Sequence, residues 1–315
     1  MITSYLILAH KNPEQLSRLI ERLDSSNSYF FINIDRNQPL KPFINSMPKK
    51  NVFFLNDNQR KSGNWGRTDI VEATIELIRE ALNVKGKSYL ILLSGQDYPL
   101  VNNSRIKETL IKNYYDGFVS TFSIPVDGWT NRGLDRLNFY RMSLSNKRYD
   151  FVLIPSIWEE SFYNIRVFKS LYAILRRGKK KTLFKILRKR RHPNDIKPFG
   201  GSQWWAMSSN LARRILNFID NNPSFLRYHQ DTLIADEIFF QTIIHHIAEL
   251  DHTLKIAPSL TYTNWERKNV PLPVTFGAED FEELKEASKT HLFARKLDIE
   301  SDTAILDKID AELLS

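Results

Sequence analysis

Short apolar runs and amphipathic stretches alternate along the first third of the chain. The apolar runs predict four buried strands, at residues 2–9, 29–34, 51–55 and 89–93. Helical spacing of the apolar side chains follows Asn12 and Pro13, which suit the start of a helix, and recurs at residues 68–82. Strands and helices that alternate in this way are typical of a doubly wound α/β sheet.

The pattern becomes less regular after about residue 115. Further strands are predicted at residues 118–122, 200–207 and 254–265, and further helices at 159–175, 181–190, 209–219, 279–287 and 302–314. Residues 129–148 are polar and predict no element. Because no stretch is rich enough in Gly, Ser or Pro to mark a linker, we expect one domain over residues 1–315.

Two adjacent carboxylates, Asp236 and Glu237, open a run that is otherwise almost wholly apolar, residues 238–247. The run predicts a buried helix, and acidic side chains suit the positive end of a helix. A carboxylate at the rim of an apolar helix is also partly desolvated, which favours a general base. The residues alone leave capping and catalysis open for Glu237.

The net charge of +9 is concentrated in one place. Ten Lys and Arg residues and no acid lie between Arg176 and Arg191, whereas the other 35 basic and 36 acidic residues nearly cancel. A neutral body argues against a nucleic-acid-binding protein and in favour of a local anionic contact. The segment is a solvated charge run, a contact with an anionic membrane or, least favoured, a contact with nucleic acid.

Several classes of site and location are disfavoured by what the sequence lacks. It contains no Cys, no Asp-x-Asp, no dinucleotide fingerprint and no P-loop. His245 and His246 are adjacent on a predicted helix, so their side chains diverge by about 100° and do not share a metal. With no leader pattern and no membrane span, we expect a cytoplasmic bacterial protein, held if at all at the inner membrane face.

Polar residues follow the predicted strands where each one ends. His10 comes after the first strand, Asp35 after the second, and Asp97 just after the fourth. In doubly wound sheets, ligands bind beyond the carboxyl ends of the strands. These three side chains are therefore candidate ligand contacts, and capping of a turn is an equal alternative for Asp97.

Four separated segments together resemble one family. They read Ser-Gly-Gln-Asp-Tyr-Pro at 94–99, Gly-Ser-Gln-Trp-Trp at 201–205, Asp-Glu-Ile-Phe-Phe-Gln-Thr at 236–242 and Leu-Phe-Ala-Arg-Lys-Leu-Asp at 292–298. Trp65-Gly66 and the strand before His10 fit as well. In this order the chain resembles the core-2/I-branching β-1,6-N-acetylglucosaminyltransferase and peptide O-xylosyltransferase family, glycosyltransferase family 14. The likeness runs from about residue 2 to 310 and is weakest over 125–195.

The resemblance implies a GT-A fold, with a Rossmann-like, mostly parallel sheet flanked by helices. Residues 1–122 would bind the nucleotide sugar and residues 123–315 the acceptor. The implied reaction is an inverting transfer from a UDP-sugar to a sugar hydroxyl, with Glu237 as the base. It further implies that Lys296 neutralises the diphosphate together with an upstream arginine, for which we favour Arg267 over Lys268.

Inverting transfer needs a base for the acceptor proton and positive charge for the departing UDP. Because the sequence lacks Asp-x-Asp, we expect fixed Lys and Arg charges and neither a metal nor another cofactor. Trp204 and Trp205 alternate on a predicted strand, so one should pack in the core and the other face the acceptor, beside Asp236.

The expected donor is UDP-GlcNAc and the expected acceptor an oligosaccharide or lipid-linked glycan of a bacterial surface polysaccharide. UDP-xylose is the nearest alternative donor. A non-catalytic carbohydrate-binding protein on the same scaffold is the alternative of a different class, and nucleic acid is not an expected partner.

Overall fold

A computed structural model describes residues 1–47, 50–63, 66–112, 114–145, 147, 149–193 and 196–315. Within these, the strands are β1 (Ile2–Ala9), β2 (Ser28–Ile34), β3 (Val52–Phe54), β4 (Ser88–Ser94), β5 (Asp97–Pro99), β6 (Gly117–Phe118), β7 (Thr121–Ser123), β8 (Tyr140–Ser143), β9 (Phe151–Ile154), β10 (Phe199–Gly201), β11 (Ala206–Ser208), β12 (Ile256–Ala257), β13 (Thr261–Thr263) and β14 (Phe293–Arg295).

The α-helices in the same ranges are α1 (Pro13–Leu23), α2 (Lys41–Ser46), α3 (Asp69–Ala81), α4 (Asn103–Lys112), α5 (Leu134–Asn138), α6 (Ile165–Arg176), α7 (Ser209–Asn221), α8 (Pro223–His229), α9 (Phe239–Leu250), α10 (Phe281–Ala287) and α11 (Ala304–Glu312). Short 3₁₀ helices cover Thr130–Gly133, Glu160–Phe162, Lys180–Leu187, Ala235–Glu237 and Ala278–Asp280.

Seven strands form the central sheet in the order β12-β6-β11-β4-β1-β2-β3. Its pairs are parallel except those of β11, which is antiparallel to both β4 and β6. Helices α1, α2, α10 and α11 pack on one face, and α3, α7 and α9 on the other. The predicted α/β class, with a mostly parallel sheet flanked by helices, is therefore confirmed, and the sheet draws strands from both halves of the chain.

The strands that were predicted best are those buried on both faces. β1, β2 and β4 lie at the centre of the sheet, where continuous apolar runs are needed. Helix α3 matches its prediction closely, and α1 has Pro13 at its first position. Asn12 does not cap α1 as expected, because its side-chain amide instead donates to Asp298 Oδ1 at 3.1 Å.

Three predicted strands prove to be two strands each. Residues 118–122, 200–207 and 254–265 each divide between the central sheet and a smaller sheet. At Gly201 the backbone passes so close to its neighbour that an added Cβ would lie 1.9 Å from the Ser120 carbonyl oxygen. The alternation of apolar residues cannot reveal such a crossing, because the chain changes sheet without changing its pattern.

Residues 140–189 form a small module with an apolar cluster of its own. Strands β8 and β9 pair as a hairpin, and α6 and the 3₁₀ helix Lys180–Leu187 pack against it. The predicted helix at 159–175 is a 3₁₀ turn followed by α6, and the one predicted at 181–190 is the shorter 3₁₀ helix. The polar stretch 129–148, for which no element was predicted, contains α5 and β8.

Arg190 joins this module to the rest of the protein. Its buried guanidinium donates to the carbonyl oxygens of Arg136 at 2.8 Å, Phe139 at 2.7 Å and Tyr228 at 2.9 Å, and to the Thr232 hydroxyl. Within the described ranges no carboxylate contacts it. Burial lowers the pKa of Arg190, whereas the nearby Asp231 charge opposes this shift. The carbonyl and hydroxyl acceptors and the Tyr228 ring, 4.3 Å away, stabilise its charge.

Two histidines lie against this joint. His192 and His229 are both largely desolvated by burial, which lowers the pKa of His192 to about 4 and that of His229 well below its ordinary value. Their rings pack edge to face, with centroids 6.2 Å apart. Both therefore stay neutral beside the Arg190 cation at physiological pH.

Replacing Arg190 by Met should lower the free energy of unfolding by about 3 kcal/mol, because buried carbonyl and hydroxyl groups lose their donor. Urea denaturation followed by circular dichroism measures the change. The matched control is Arg191→Met, since Arg191 is the exposed neighbour. Equal stability of the two variants would contradict the structural role given to Arg190.

Candidate functional site

The four sequence segments that resemble the family meet at the end of the central sheet. Arg295 Nη1 donates to Asp97 Oδ1 at 2.9 Å, and the guanidinium lies 4.5 Å from the centre of the Trp204 ring. Gln241 Nε2 in turn donates to the Ser202 carbonyl oxygen at 2.7 Å. Segments that lie up to about two hundred residues apart in the chain thus form one cluster.

Asp97 forms the buried base of this cluster. It begins β5, which pairs with β14 so that Asp97 lies opposite Arg295. Its Oδ2 accepts the Ser94 amide at 2.9 Å, and the carboxyl is fully inaccessible. Burial raises the pKa of Asp97 while the Arg295 charge opposes the rise. Asp97 therefore anchors Arg295 from below, which differs from the direct ligand contact that we expected for it.

His10 follows β1, and the charges of Asp35, which follows β2, and of Lys296, which follows β14, both reach it. Partial desolvation lowers the pKa of His10, and the charges of Lys11, Lys296 and Arg295 lower it further, whereas Asp35 raises it. This region carries a surplus of positive charge, and a neutral His10 faces it. An anionic group bound there would find two adjacent cations, Arg295 and Lys296.

The Asp35 carboxylate is already occupied by main-chain donors. Its Oδ1 accepts the amide of Asn37 at 2.8 Å and its Oδ2 accepts the amide of Gly63 at 2.9 Å. These bonds fix the turn after β2. Asp35 thus shapes the strand end, and each carboxylate oxygen can accept a further hydrogen bond.

Arg267 lies in a different ion network from Arg295. Its guanidinium contacts Asp280 and Glu283, both at 2.7 Å. Glu283 also accepts from the hydroxyl of Tyr262 and the amide of Asn264. Two carboxylates therefore already neutralise Arg267, whereas the alternative, Lys268, is exposed.

Glu237 lies in the 3₁₀ turn Ala235–Glu237, just before α9 rather than in the first turn of that helix as expected. Its Oε2 accepts from Arg136 Nη1 at 2.8 Å, and 28% of its side chain is exposed. The Arg136 guanidinium also lies 3.5 Å from the centre of the Trp129 ring, which holds it in place. Glu237 is therefore oriented and still accessible.

Asp236 points the other way, into the protein. Its Oδ1 has no hydrogen-bond partner among the described residues, and Gln241 donates weakly to its main-chain oxygen at 3.3 Å. Burial raises the pKa of Asp236 to about 7, and the neighbouring Glu237 charge raises it as well, while Arg136 and Arg295 oppose the shift. The raised pKa brings the protonation of Asp236 close to neutral pH.

Trp204 and Trp205 do not alternate on a strand as predicted, because both lie in the loop between β10 and β11. Both are buried. Trp205 packs against Phe240 in the core, with ring centroids 5.7 Å apart, and Trp204 supports the Arg295 guanidinium. Of the two, Trp204 therefore belongs to the site. Its ring contacts the Arg295 guanidinium and is not exposed to stack on a sugar.

Two arginines of this site were not among the sequence candidates. Arg295 lies in the segment 292–298 that resembles the family, directly before Lys296. Its position beside a candidate cation could therefore have marked it as a site residue. Arg136 lies in the polar stretch for which no element was predicted, and it pairs with a residue 101 positions away. Trp65, part of the resemblance, lies outside the described residues.

No group of three or more His, Asp or Glu side chains within the described ranges is placed to hold a metal ion. His245 stacks on Phe199 at 3.7 Å, while His246 packs edge-on against Phe218. None of the helices described is both long enough and apolar enough to cross a bilayer. Two surface depressions of about 460 and 450 Å³ lie elsewhere, lined by neither Glu237 nor Lys296.

Curated proteins similar to the chain include several xylosyltransferases. It is 22% identical to xylosyltransferase sqv-6 of Caenorhabditis elegans over 97% of this chain and 35% of that protein. It is also 22% identical to human xylosyltransferase 2, over 98% of this chain and 33% of that protein. The chain thus spans about a third of the length of these relatives. A 4-diphosphocytidyl-2C-methyl-D-erythritol synthase structure matches at 10% identity, over 91% of this chain and 97% of that one, with a TM-score of 0.37.

The family model of the core-2/I-branching enzyme matches residues 3–286. This range includes the Asp97, Trp204 and Glu237 segments that converge in the structure, and it ends before Arg295. The match covers most of the chain, so this protein belongs to the core-2/I-branching enzyme family of glycosyltransferases.

Proposed function

We propose that this protein is an inverting transferase that moves a sugar from a UDP-sugar to a sugar hydroxyl of a glycan. The observation that carries the proposal is an oriented, accessible carboxylate, Glu237, next to Asp236, which the charge of Arg295 reaches. Lys296 follows Arg295 in the chain and its charge reaches Asp97 and His10. A base and a fixed positive charge are the two groups that this reaction requires.

Glu237 is the proposed base. Arg136 holds Oε2, whereas Oε1 makes no hydrogen bond within the residues described. In the reaction Glu237 takes the proton of the acceptor hydroxyl as that oxygen attacks the anomeric carbon of the donor. The bond from that carbon to the UDP oxygen breaks, its electron pair leaves with UDP, and the configuration inverts. Arg136 orients the carboxylate, and the Trp129 ring holds Arg136 in place.

The departing diphosphate is neutralised by Lys296 and Arg295 in this proposal, with His10 and Asp35 at the nucleotide end. We now favour Arg295 over Arg267 as the second cation, because two carboxylates already hold Arg267 whereas one buried carboxylate anchors Arg295. Two fixed cations take the role that a divalent ion has in many transferases, so the proposed reaction requires no metal.

GlcNAc is the proposed sugar and a bacterial glycan the proposed acceptor, with xylose as the second candidate sugar. The names of the curated relatives favour xylose as that second candidate. A protein that binds carbohydrate without turnover would bind both donors and release no UDP.

Glu237→Gln keeps the shape of the side chain and removes the base. We expect UDP release from UDP-GlcNAc or UDP-xylose to fall about 100- to 1000-fold, because general-base catalysis contributes an effect of that size. A coupled assay for free UDP measures it, with the exposed Glu282→Gln as the matched control. Unchanged turnover in Glu237→Gln would remove Glu237 as the base, and thermal shift with UDP shows whether the donor site is intact.

Lys296→Met should weaken UDP binding about 10- to 100-fold, the usual worth of a charge-assisted hydrogen bond to phosphate. Isothermal titration with UDP measures this change, and the exposed Lys268→Met serves as its control.

The wild-type protein should keep full UDP release in excess EDTA. Activity that EDTA abolishes and Mn²⁺ restores would refute the metal-independent reaction.

Asp236 was expected to contact the acceptor, but its buried carboxyl points into the protein, so we propose that it lies behind the acceptor site without touching the acceptor. Because its pKa is raised to about 7, the folded state binds more protons than the unfolded state between about pH 4 and 7. Stability should therefore fall as pH rises through this window. Asp236→Asn should remove this loss, which amounts to about 4 kcal/mol above pH 7.

Chemical denaturation of wild type and Asp236→Asn at pH 4.5, 6 and 8 measures this pH dependence. The variant should gain stability relative to wild type at pH 8 and gain little at pH 4.5. A difference between the two proteins that is the same at all three pH values would show that Asp236 titrates normally.

A further inference from the structure

The module of residues 140–189 leaves one face of helix α6 uncovered. Val167 and Ile174 turn inward to the apolar cluster of the module. On the other side, four large apolar side chains are exposed: Ile165, Phe168, Tyr172 and Leu175. Their spacing of three, four and three residues places them within a stripe about 80° wide along the helix. Tyr172, near the middle of the stripe, is 66% exposed.

The uncovered apolar surface continues beyond α6. In the 3₁₀ helix Lys180–Leu187, Phe184 is 72% exposed and Leu187 is also exposed. Trp158 and Tyr163 flank the module with exposed rings, and Trp158 is held by a 2.9 Å hydrogen bond from its indole nitrogen to the Leu187 carbonyl oxygen. Such a concentration of exposed aromatic and aliphatic side chains marks an interaction site.

Positive charge borders this apolar surface. Lys169 and Arg176 follow the α6 stripe along one edge, both exposed. Ion pairs occupy Arg177, Lys185 and Lys189. Among the described residues, five further bases of the segment form no ion pair and are exposed or nearly so: Arg176, Lys180, Lys181, Arg188 and Arg191. A partner that fits must be apolar at its centre and anionic around it.

We propose that this surface docks the protein on an anionic lipid bilayer, with α6 lying in the interface. The apolar stripe inserts among the acyl chains near the headgroups, while the bordering Lys and Arg side chains contact anionic headgroups. Trp and Tyr side chains occupy the boundary that they favour in membranes. The basic segment by itself fits a solvent-exposed charge run as well as a membrane contact. The apolar stripe beside it favours the membrane contact.

Docking fixes the direction in which the candidate site faces. Arg190 ties the end of the module to the carbonyl oxygen of Arg136, the residue that orients Glu237. The site is thereby held at a constant distance from the lipid surface. If the proposed function holds, this geometry favours an acceptor whose glycan is attached to a lipid. The docking itself does not depend on the reaction.

Vesicle co-sedimentation tests the docking surface. The wild-type protein should bind vesicles of phosphatidylcholine with phosphatidylglycerol, bind pure phosphatidylcholine at least tenfold more weakly, and lose binding at high salt. Phe168→Ser with Tyr172→Ser should lower the partition coefficient at least tenfold. The matched control is Ile44→Ser with Leu250→Ser, two exposed apolar side chains elsewhere.

A second comparison isolates the charge. Lys180→Gln, Lys181→Gln and Arg188→Gln together should lower binding at least tenfold, whereas Lys85→Gln, Lys107→Gln and Lys112→Gln, with the same change in net charge, should not. These control positions are exposed and lie outside the module. Thermal unfolding of each variant shows that the fold persists.

Four results would overturn the proposal. The first is that the wild type does not bind anionic vesicles, and the second is that test and control variants lose binding equally. The third is that the wild type is a dimer and the Phe168 and Tyr172 variant a monomer that still binds vesicles. The fourth is that the wild type binds a DNA duplex more tightly than vesicles and that the test variants lose this DNA binding. None of these readouts uses a UDP-sugar, so they are separate from failure of the proposed reaction.

Discussion

The ion pair between Arg295 and Asp97 is the interaction on which the candidate site depends. Removing two charges from water is costly, and the pair persists because the Ser94 amide and the Trp204 ring supply further contacts. It joins β14 to β5 within the small sheet, and the Asp97 carboxylate also accepts the amide of Ser94 at the end of β4 in the central sheet. Lys296 follows directly in the chain, so the position of the second cation is set by the pair as well.

The sequence allowed prediction of those elements whose surroundings are uniform. β1, β2 and β4 are buried on both faces, so their apolar runs carry a clear signal, and α3 has one face in the core. Strands of two or three residues, such as β6 and β12, are held by their neighbours rather than by their own pattern. The prediction of one strand at 200–207 failed for this reason.

The candidate site divides in the same way. Glu237 and Lys296 could be named because they belong to short segments that resemble a family. Arg295 and Asp97 pair across 198 positions of sequence, and Arg136 and Glu237 across 101. Such contacts depend on how distant elements pack, and a single sequence carries no record of them. The kinds of side chain that the proposed reaction needs, a base and cations, could be predicted from the sequence. That Arg295 pairs with Asp97 and Arg136 with Glu237 could not be predicted.

The carbonyl cradle around Arg190 has a consequence for acid tolerance. A joint made of a lysine and a carboxylate loosens when the carboxylate takes up a proton, but carbonyl oxygens do not titrate and acid only favours the guanidinium in its charged form. The neighbouring His192, with a pKa of about 4, gains charge only in stronger acid, and burial likewise lowers the pKa of His229. The connection between the module and the Glu237 turn should therefore stay rigid throughout mildly acidic conditions, in which ordinary surface ion pairs weaken.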